Sequence, residues 1–242
     1  MRRVRPIYSD TFKRRRRRYG LIVGVILVLG LLAGGGFWLT HRTTRPSAQK
    51  YPVMGVRLDQ SDGFQDFASL HSHGVDFAYL KATEGASYFD DDFVSNYHRA
   101  SGSNVALGVY HFFSFASSPE AQADYFIKQV ADRSGQLPIA VQVSAYTTVP
   151  TAPKLNASLT TFLQRVEGYY GRTCVIMGSR SMLAKLKPAI GQRSVIVQGS
   201  RSESNAKFWE YGSEIRVGDA KYRGMVYVGS KADFTQLVNV NQ

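Results

Sequence analysis

Two polar residues, Gln142 and Ser144, stand near the end of an otherwise apolar run in LPIAVQVSAY, residues 137–146. Along a strand, residues two apart share a face, so an amide and a hydroxyl sit side by side where strand meets loop. In many enzymes an acid occupies such a place. Other chemistry-bearing residues hold comparable positions. Arg57 and Asp59 share a face in VMGVRLD, Glu84 ends the run FAYLKATE that contains Lys81, and His111 lies within GVYHFF. Carboxylates at strand ends can deliver or accept a proton, or neutralise a nearby cation. Arg57 and Arg223 form either an anion pocket or salt bridges to Asp59 or Glu84. His111 has no second ligand at metal spacing, so no metal or cofactor is expected, and it reads as a cleft-lining or hydrogen-bonded structural histidine. Tyr110, Trp209 and Tyr211 either stack on a ligand or fill the core.

These residues sit on a regular alternation of elements. Apolar runs recur at 53–58, 76–82, 105–113, 139–143, 174–178 and 194–198, with helix-like segments at 64–73, 89–101, 118–133, 155–170 and 181–189. The third helix is the clearest, with Ser117 or Ser118 as cap, Pro119 in the first turn, and Ala121, Tyr125, Phe126 and Val130 at helical spacing. Strands alternating with helices predict βαβ units and a parallel sheet, hence an α/β fold. Toward the end, FWEYG (208–212) and GMVYVGS (224–230) read as strands with no helix between them. About eight strands with five helices predict an irregular TIM-like barrel, whose chemistry lies at the C-terminal strand ends. Asp59, Glu84, His111, Ser144 and Arg223 are expected near that mouth. Cys174, the only cysteine, excludes an intrachain disulfide and suits inert packing.

Charge and hydropathy set the N-terminus apart. The net charge of +12 is concentrated in residues 1–50, at +11, whereas residues 51–242 carry +1. A nearly neutral body argues against nucleic acid as a partner. KRRRRR (13–18) precedes 21 uncharged residues, 20–40, ending near a Phe-Trp pair. This pattern predicts a single transmembrane helix, with residues 1–19 as a basic cytoplasmic tail, 41–51 as a polar tether and 52–242 as an extracellular domain. A cleaved signal peptide shares the basic start and apolar run, but this span is long for one and no clear A-x-A site follows.

One stretch carries a resemblance. GFQDFASLHSHGVDFAYLKATEG (63–85) is similar to the start of glycoside hydrolase family 25, the lysozyme or N-acetylmuramidase family. Its pattern of Gly, two residues, Asp-aromatic, a later Gly and Lys-Ala-Thr-Glu-Gly is met by Gly63, Asp66-Phe67, Gly74 and Lys81 to Gly85. DDFVSNYHRA (91–100), GVYHFF, Gln122-Ala123, Leu137-Pro138, FWEYG and YVGS (227–230) continue it, so the resemblance covers roughly 53–235. It implies a (β/α)5β3 barrel with a groove for peptidoglycan glycan strands. It also implies four acids at strand ends, and here Arg57, Gln142, Ser144 and Arg223 stand at those places. Amide and hydroxyl side chains cannot replace a carboxylic acid as proton donor, and arginine would oppose an oxocarbenium-like transition state. The resemblance thus implies a pseudoenzyme that binds wall glycan or a cell-envelope protein. The alternatives are an active muramidase using Asp59 and Glu84, and a structural or regulatory module of a membrane complex.

Overall fold

The computed structural model describes residues 19–31, 45–199 and 205–240. The chain divides into two compact units, Met1–Arg42 and Thr43–Gln242. In the first, residues 19–31 are helical with every side chain exposed. Among the described residues, no helix is long and apolar enough to cross a membrane. The basic run at 13–18, residues 32–40 of the expected span and the first residues of the tether lie outside the described residues.

The second unit is built on β1 (Met54–Leu58), β2 (Phe77–Glu84), the two-residue β3 (Tyr88–Phe89), β4 (Ala106–Phe112), β5 (Ala140–Gln142), β6 (Val175–Ser179), β7 (Val195–Gln198), β8 (Ala206–Val217) and β9 (Ala220–Tyr227). The sheet order is β1-β9-β8-β7-β6-β5-β4-β2-β3, and β1 also pairs in parallel with β2, which closes a ring of eight strands. Only β9 runs against its ring neighbours, β1 and β8. Five crossovers carry helices: α1 (Phe67–Ser72), α2 (Phe93–Arg99), α3 (Pro119–Val130), α4 (Ala152–Tyr170), and the short pair α5 (Arg180–Lys185) and α6 (Lys187–Ile190). Among the described residues no helix separates β7, β8 and β9, so the barrel has the predicted irregular form.

Local signals explain the clearest elements. Ser118 Oγ accepts from the Ala121 amide and Pro119 opens α3, the arrangement a helix start favours. The predicted helix over 181–189 is two short ones, since Pro188 cannot supply an amide to a continuous helix. FWEYG is the opening of a 12-residue strand that forms a hairpin with β9 and turns at Gly218, whose φ is 59°. Gly212, Ser213 and Glu214 break the apolar alternation there, which hides the extension. A further helix, α7 (Lys231–Val240), was not predicted. Its Phe234 ring lies 5.7 Å from Phe77 and 5.3 Å from Tyr227 and packs with the barrel interior.

Strand parity separates two cores. Val56, Leu58, Ala78, Leu80, Leu107, Val109, Val141 and Val143 face the helices. Phe77, Tyr79, Tyr110, Ala140, Met177, Ile196, Phe208, Met225 and Tyr227 fill the barrel. The interior admits large rings because glycines stand beside them: a Cβ at Gly55 would run into Phe77, and one at Gly108 would meet Tyr79 at 2.5 Å.

Candidate functional site

Period two on the strands sends Arg57, Lys81, Gln142, Glu210 and Arg223 into the C-terminal mouth of the barrel. Arg57 follows Gly55 on the inner face of β1, and Glu210 follows Phe208 on that of β8. Arg57 Nε donates to Glu210 Oε2 at 2.6 Å and Nη2 to Oε1 at 3.2 Å, a bidentate ion pair. Arg57 Nη1 donates to the Tyr110 hydroxyl at 3.1 Å and to Gln142 Oε1 at 3.2 Å. Gln142 Nε2 in turn donates to Ser144 Oγ, and Gln198 Nε2 to Glu210 Oε1, both at 3.2 Å. A polar layer thereby spans the barrel above its aromatic filling. Arg57 and Glu210 are 7% and 8% exposed. Burial alone would lower the arginine pKa, but Tyr110 and Glu210 raise it above the ordinary value, so the guanidinium stays charged.

The rim carries a second set of pairs. Arg223 sits opposite Arg57 in the β1–β9 register. Its Nη1 donates to Asp59 Oδ2 at 3.0 Å and lies 3.8 Å from Asp62 Oδ2. Asp59 caps the turn Gln60–Asp62, accepting from the Ser61 amide and hydroxyl, while Asp62 accepts from the Asp59 amide. Burial pushes the Asp59 carboxyl up, but the Ser61 hydrogen bonds and Arg223 outweigh it and hold the carboxyl below its ordinary value. Burial dominates at Asp62 and raises it. Lys81 Nζ pairs with Glu84 Oε2 at 2.6 Å and sits over the Tyr88 ring at 4.7 Å. The two open expectations for the arginines thus resolve into ion pairs, with Asp59 for Arg223 and with Glu210, not Glu84, for Arg57.

Four predicted cleft residues stand elsewhere. Tyr110 is buried under Arg57 and burial raises its hydroxyl pKa, so it is floor rather than lining. His111 points out of the barrel, under α3 and α4, where its ring stacks on Phe162 at 4.6 Å. Gln122 turns its amide nitrogen to the Ser114 and Ser117 carbonyls, so its oxygen accepts from His111 Nε2 at 3.1 Å. Nδ1 is then free to accept from Thr83 Oγ1 at 2.7 Å. Burial depresses the His111 pKa to about 3, leaving a neutral structural group. Trp209 and Tyr211 alternate with the inward Phe208 and Glu210 and therefore face outward. Trp209 donates to the Gly199 carbonyl and packs edge-on to Tyr51, while Tyr211 packs on the outer core.

Sequence reasoning missed Glu210, Gln198 and Asp62. The signal for Glu210 was present in FWEYG, because an acid two residues from an inward Phe shares its face. What sequence could not supply is that its partner lies 153 positions earlier. Among the described residues, no group of three His, Cys, Asp or Glu side chains could hold a metal ion.

With this barrel and mouth established, the comparisons define the class. The sequence model of Glycosyl hydrolases family 25 matches residues 58–219, and the chain belongs to that family. It is 42% identical over 105 residues to lysozyme M1 of Streptomyces globisporus, covering 43% of this chain and 34% of that protein. It is 37% identical over 87 residues to an N,O-diacetylmuramidase of Chalaropsis sp, covering 34% of this chain and 41% of that one. The matches thus span well under two thirds of these curated relatives. Among solved structures, a family 25 glycosyl hydrolase from Bacillus anthracis superposes with a TM-score of 0.74 at 24% identity, over 84% of this chain and 99% of that one. A bacterial lysozyme from Streptomyces coelicolor gives 0.65 at 25% identity, over 78% and 98%.

Proposed function

We propose that this chain is a non-hydrolysing family 25 domain that binds the glycan strands of bacterial peptidoglycan, held outside the cell membrane by residues 20–40 and not dependent on a cofactor. The observation that carries the proposal is the buried pair of Arg57 and Glu210. A glycosidase needs a carboxylic acid to protonate the leaving oxygen and a carboxylate to act as nucleophile, base or charge stabiliser. Here a permanent cation stands in the floor of the mouth, and its carboxylate is bound to it at both oxygens. Gln142 and Ser144 are occupied with Arg57 and with each other.

A muramidase with relocated carboxylates would need Asp59 or Glu84 as proton donor. Asp59 is held ionised by Ser61 and Arg223, and the Glu84 carboxylate is taken up by an ion pair with Lys81. The test is clearing of purified peptidoglycan by the full chain, with retention on the insoluble wall measured in parallel. We expect retention without clearing. Clearing abolished by Asp59→Asn or Glu84→Gln would establish the hydrolase. Neither clearing nor retention would leave the structural or regulatory module of a membrane complex.

A further inference from the structure

We infer that Tyr146, seated on Phe115 at the rim, is a sugar-stacking subsite that takes one pyranose ring of a glycan. This deepens the glycan-binding proposal and rests on it. Tyr146 lies on the loop after β5, two residues beyond Ser144, and is 46% exposed. Its ring stacks on Phe115 at 5.1 Å and 25°, and meets Phe112 edge-on at 5.4 Å. The hydroxyl accepts from the Phe115 amide at 2.6 Å and shares a hydrogen bond with Ser114 Oγ at 2.9 Å. Two loops therefore fix a ring that remains half in water. A ring already pinned loses little further freedom on binding, which favours a ligand surface.

The surroundings select the ligand chemistry. Phe112 continues the strip inward, beside Gln142 in the β4–β5 register, and Lys81 Nζ lies 5.6 Å from its ring. The strip thus runs from an aromatic face to an amide, a hydroxyl and an ion pair. A pyranose presents an apolar C–H face and a polar edge of hydroxyl and acetamide groups, which matches that change. An acyl chain would require continuous apolar surface. The cation over Phe112, Lys81, is already bound to Glu84 and adds a polar edge rather than a free charge. The occupant this surface matches is a pyranose ring.

The probes are insoluble peptidoglycan and the soluble tetramer of N-acetylglucosamine, added to the full chain. Tyr146→Ala should weaken retention and tetramer affinity about tenfold, the scale of one lost aromatic contact, while a single cooperative unfolding transition is kept at a midpoint lowered by the lost ring packing and hydrogen bonds. Tyr146→Trp, which keeps a ring face, should bind within about threefold of the parent. In the unsubstituted chain, the Tyr146 ring resonances should shift as the tetramer saturates. If the chain binds while Tyr146→Ala binds equally well, or the ring resonances stay fixed, the subsite is overturned and glycan binding stands. If the unsubstituted chain binds neither probe, glycan binding fails and the subsite falls with it.

Discussion

Arg57 places a permanent positive charge inside an aromatic-filled barrel, and the molecule answers it with one carboxylate, one amide and one phenol. Buried charge is tolerated only when paired, so the two halves of the Arg57 and Glu210 pair depend on each other. Arg57→Leu strands the carboxylate and should cost about 3–5 kcal/mol in urea unfolding. Replacing Glu210 as well, with Leu, should recover most of that loss, giving a strongly non-additive double-mutant cycle. Additive losses would refute the coupling. His111 gives a pH signature of the opposite kind, being buried without charge. Its folded pKa of about 3 lies below the value near 6.5 expected when unfolded, so the unfolded chain binds a proton the folded chain refuses. The stability gained from the neutral ring is complete above about pH 6.5 and drains away as pH falls toward 3. Between pH 7 and pH 5 the parent should lose about 2 kcal/mol more than His111→Gln, whatever their difference at pH 7. Equal pH slopes would mean that the ring titrates in the folded state.

At the scale of elements, the barrel is limited by how closely strands and rings approach. Gly55 and Gly108 leave space that the Phe77 and Tyr79 rings occupy, so Ala at either position forces one of those rings to move. Each substitution should cost about 1–3 kcal/mol. Gly168 is the contrast: it lies within α4, is exposed, and a Cβ there meets nothing within 4 Å. Gly168→Ala should stabilise by about 0.5–1 kcal/mol, because glycine inside a helix carries an entropy penalty. Denaturation midpoints of the three variants, compared at one pH, check both signs. The capped helices were legible from local residues, as Ser118 and Pro119 illustrate. The β8–β9 hairpin and α7 were not, because the first is interrupted by Gly212 and Ser213, and the second buries only Phe234 fully, with Leu237 and Val238 partly buried beside the interior cluster, in an otherwise mixed sequence.

At the scale of the whole molecule, charge is divided between a basic N-terminal stretch and a nearly neutral body. Such a body binds a neutral ligand by shape and hydrogen bonds rather than by long-range attraction. The proposed loss of catalysis also belongs to this scale, because one changed position reaches others around the ring. Restoring acids through Arg57→Asp, Gln142→Asp, Ser144→Glu and Arg223→Asp would leave Glu210 beside a new carboxylate without its cation. The four-site variant should therefore be destabilised relative to a five-site variant that adds Glu210→Gln, by about 1–3 kcal/mol in urea unfolding. Clearing of peptidoglycan, if it returns at all, should return only in the five-site variant. Equal stability of the two would mean that Glu210 does not depend on Arg57.

The alternation of strand and helix, the approximate bounds of the inner helices, and the motifs shared with family 25 were all present in the chain as written. Each rests on periodicity, caps or short-range spacing, which are local properties. Sequence also set Arg57, Gln142 and Ser144 near strand ends, but Arg223, expected just before a strand at 224–230, lies within β9, which starts at Ala220. The partners of those residues were decided only by barrel closure. β9 enters antiparallel between β8 and β1, which brings Arg223 to Asp59 and sets Glu210 against Arg57. Parity set His111, Trp209 and Tyr211 on the face opposite Tyr110, Phe208 and Glu210, and closure decided which of the two faces is the interior. A charge acquires its meaning from what stands within hydrogen-bond reach, and across a closed barrel that neighbour comes from a distant part of the chain.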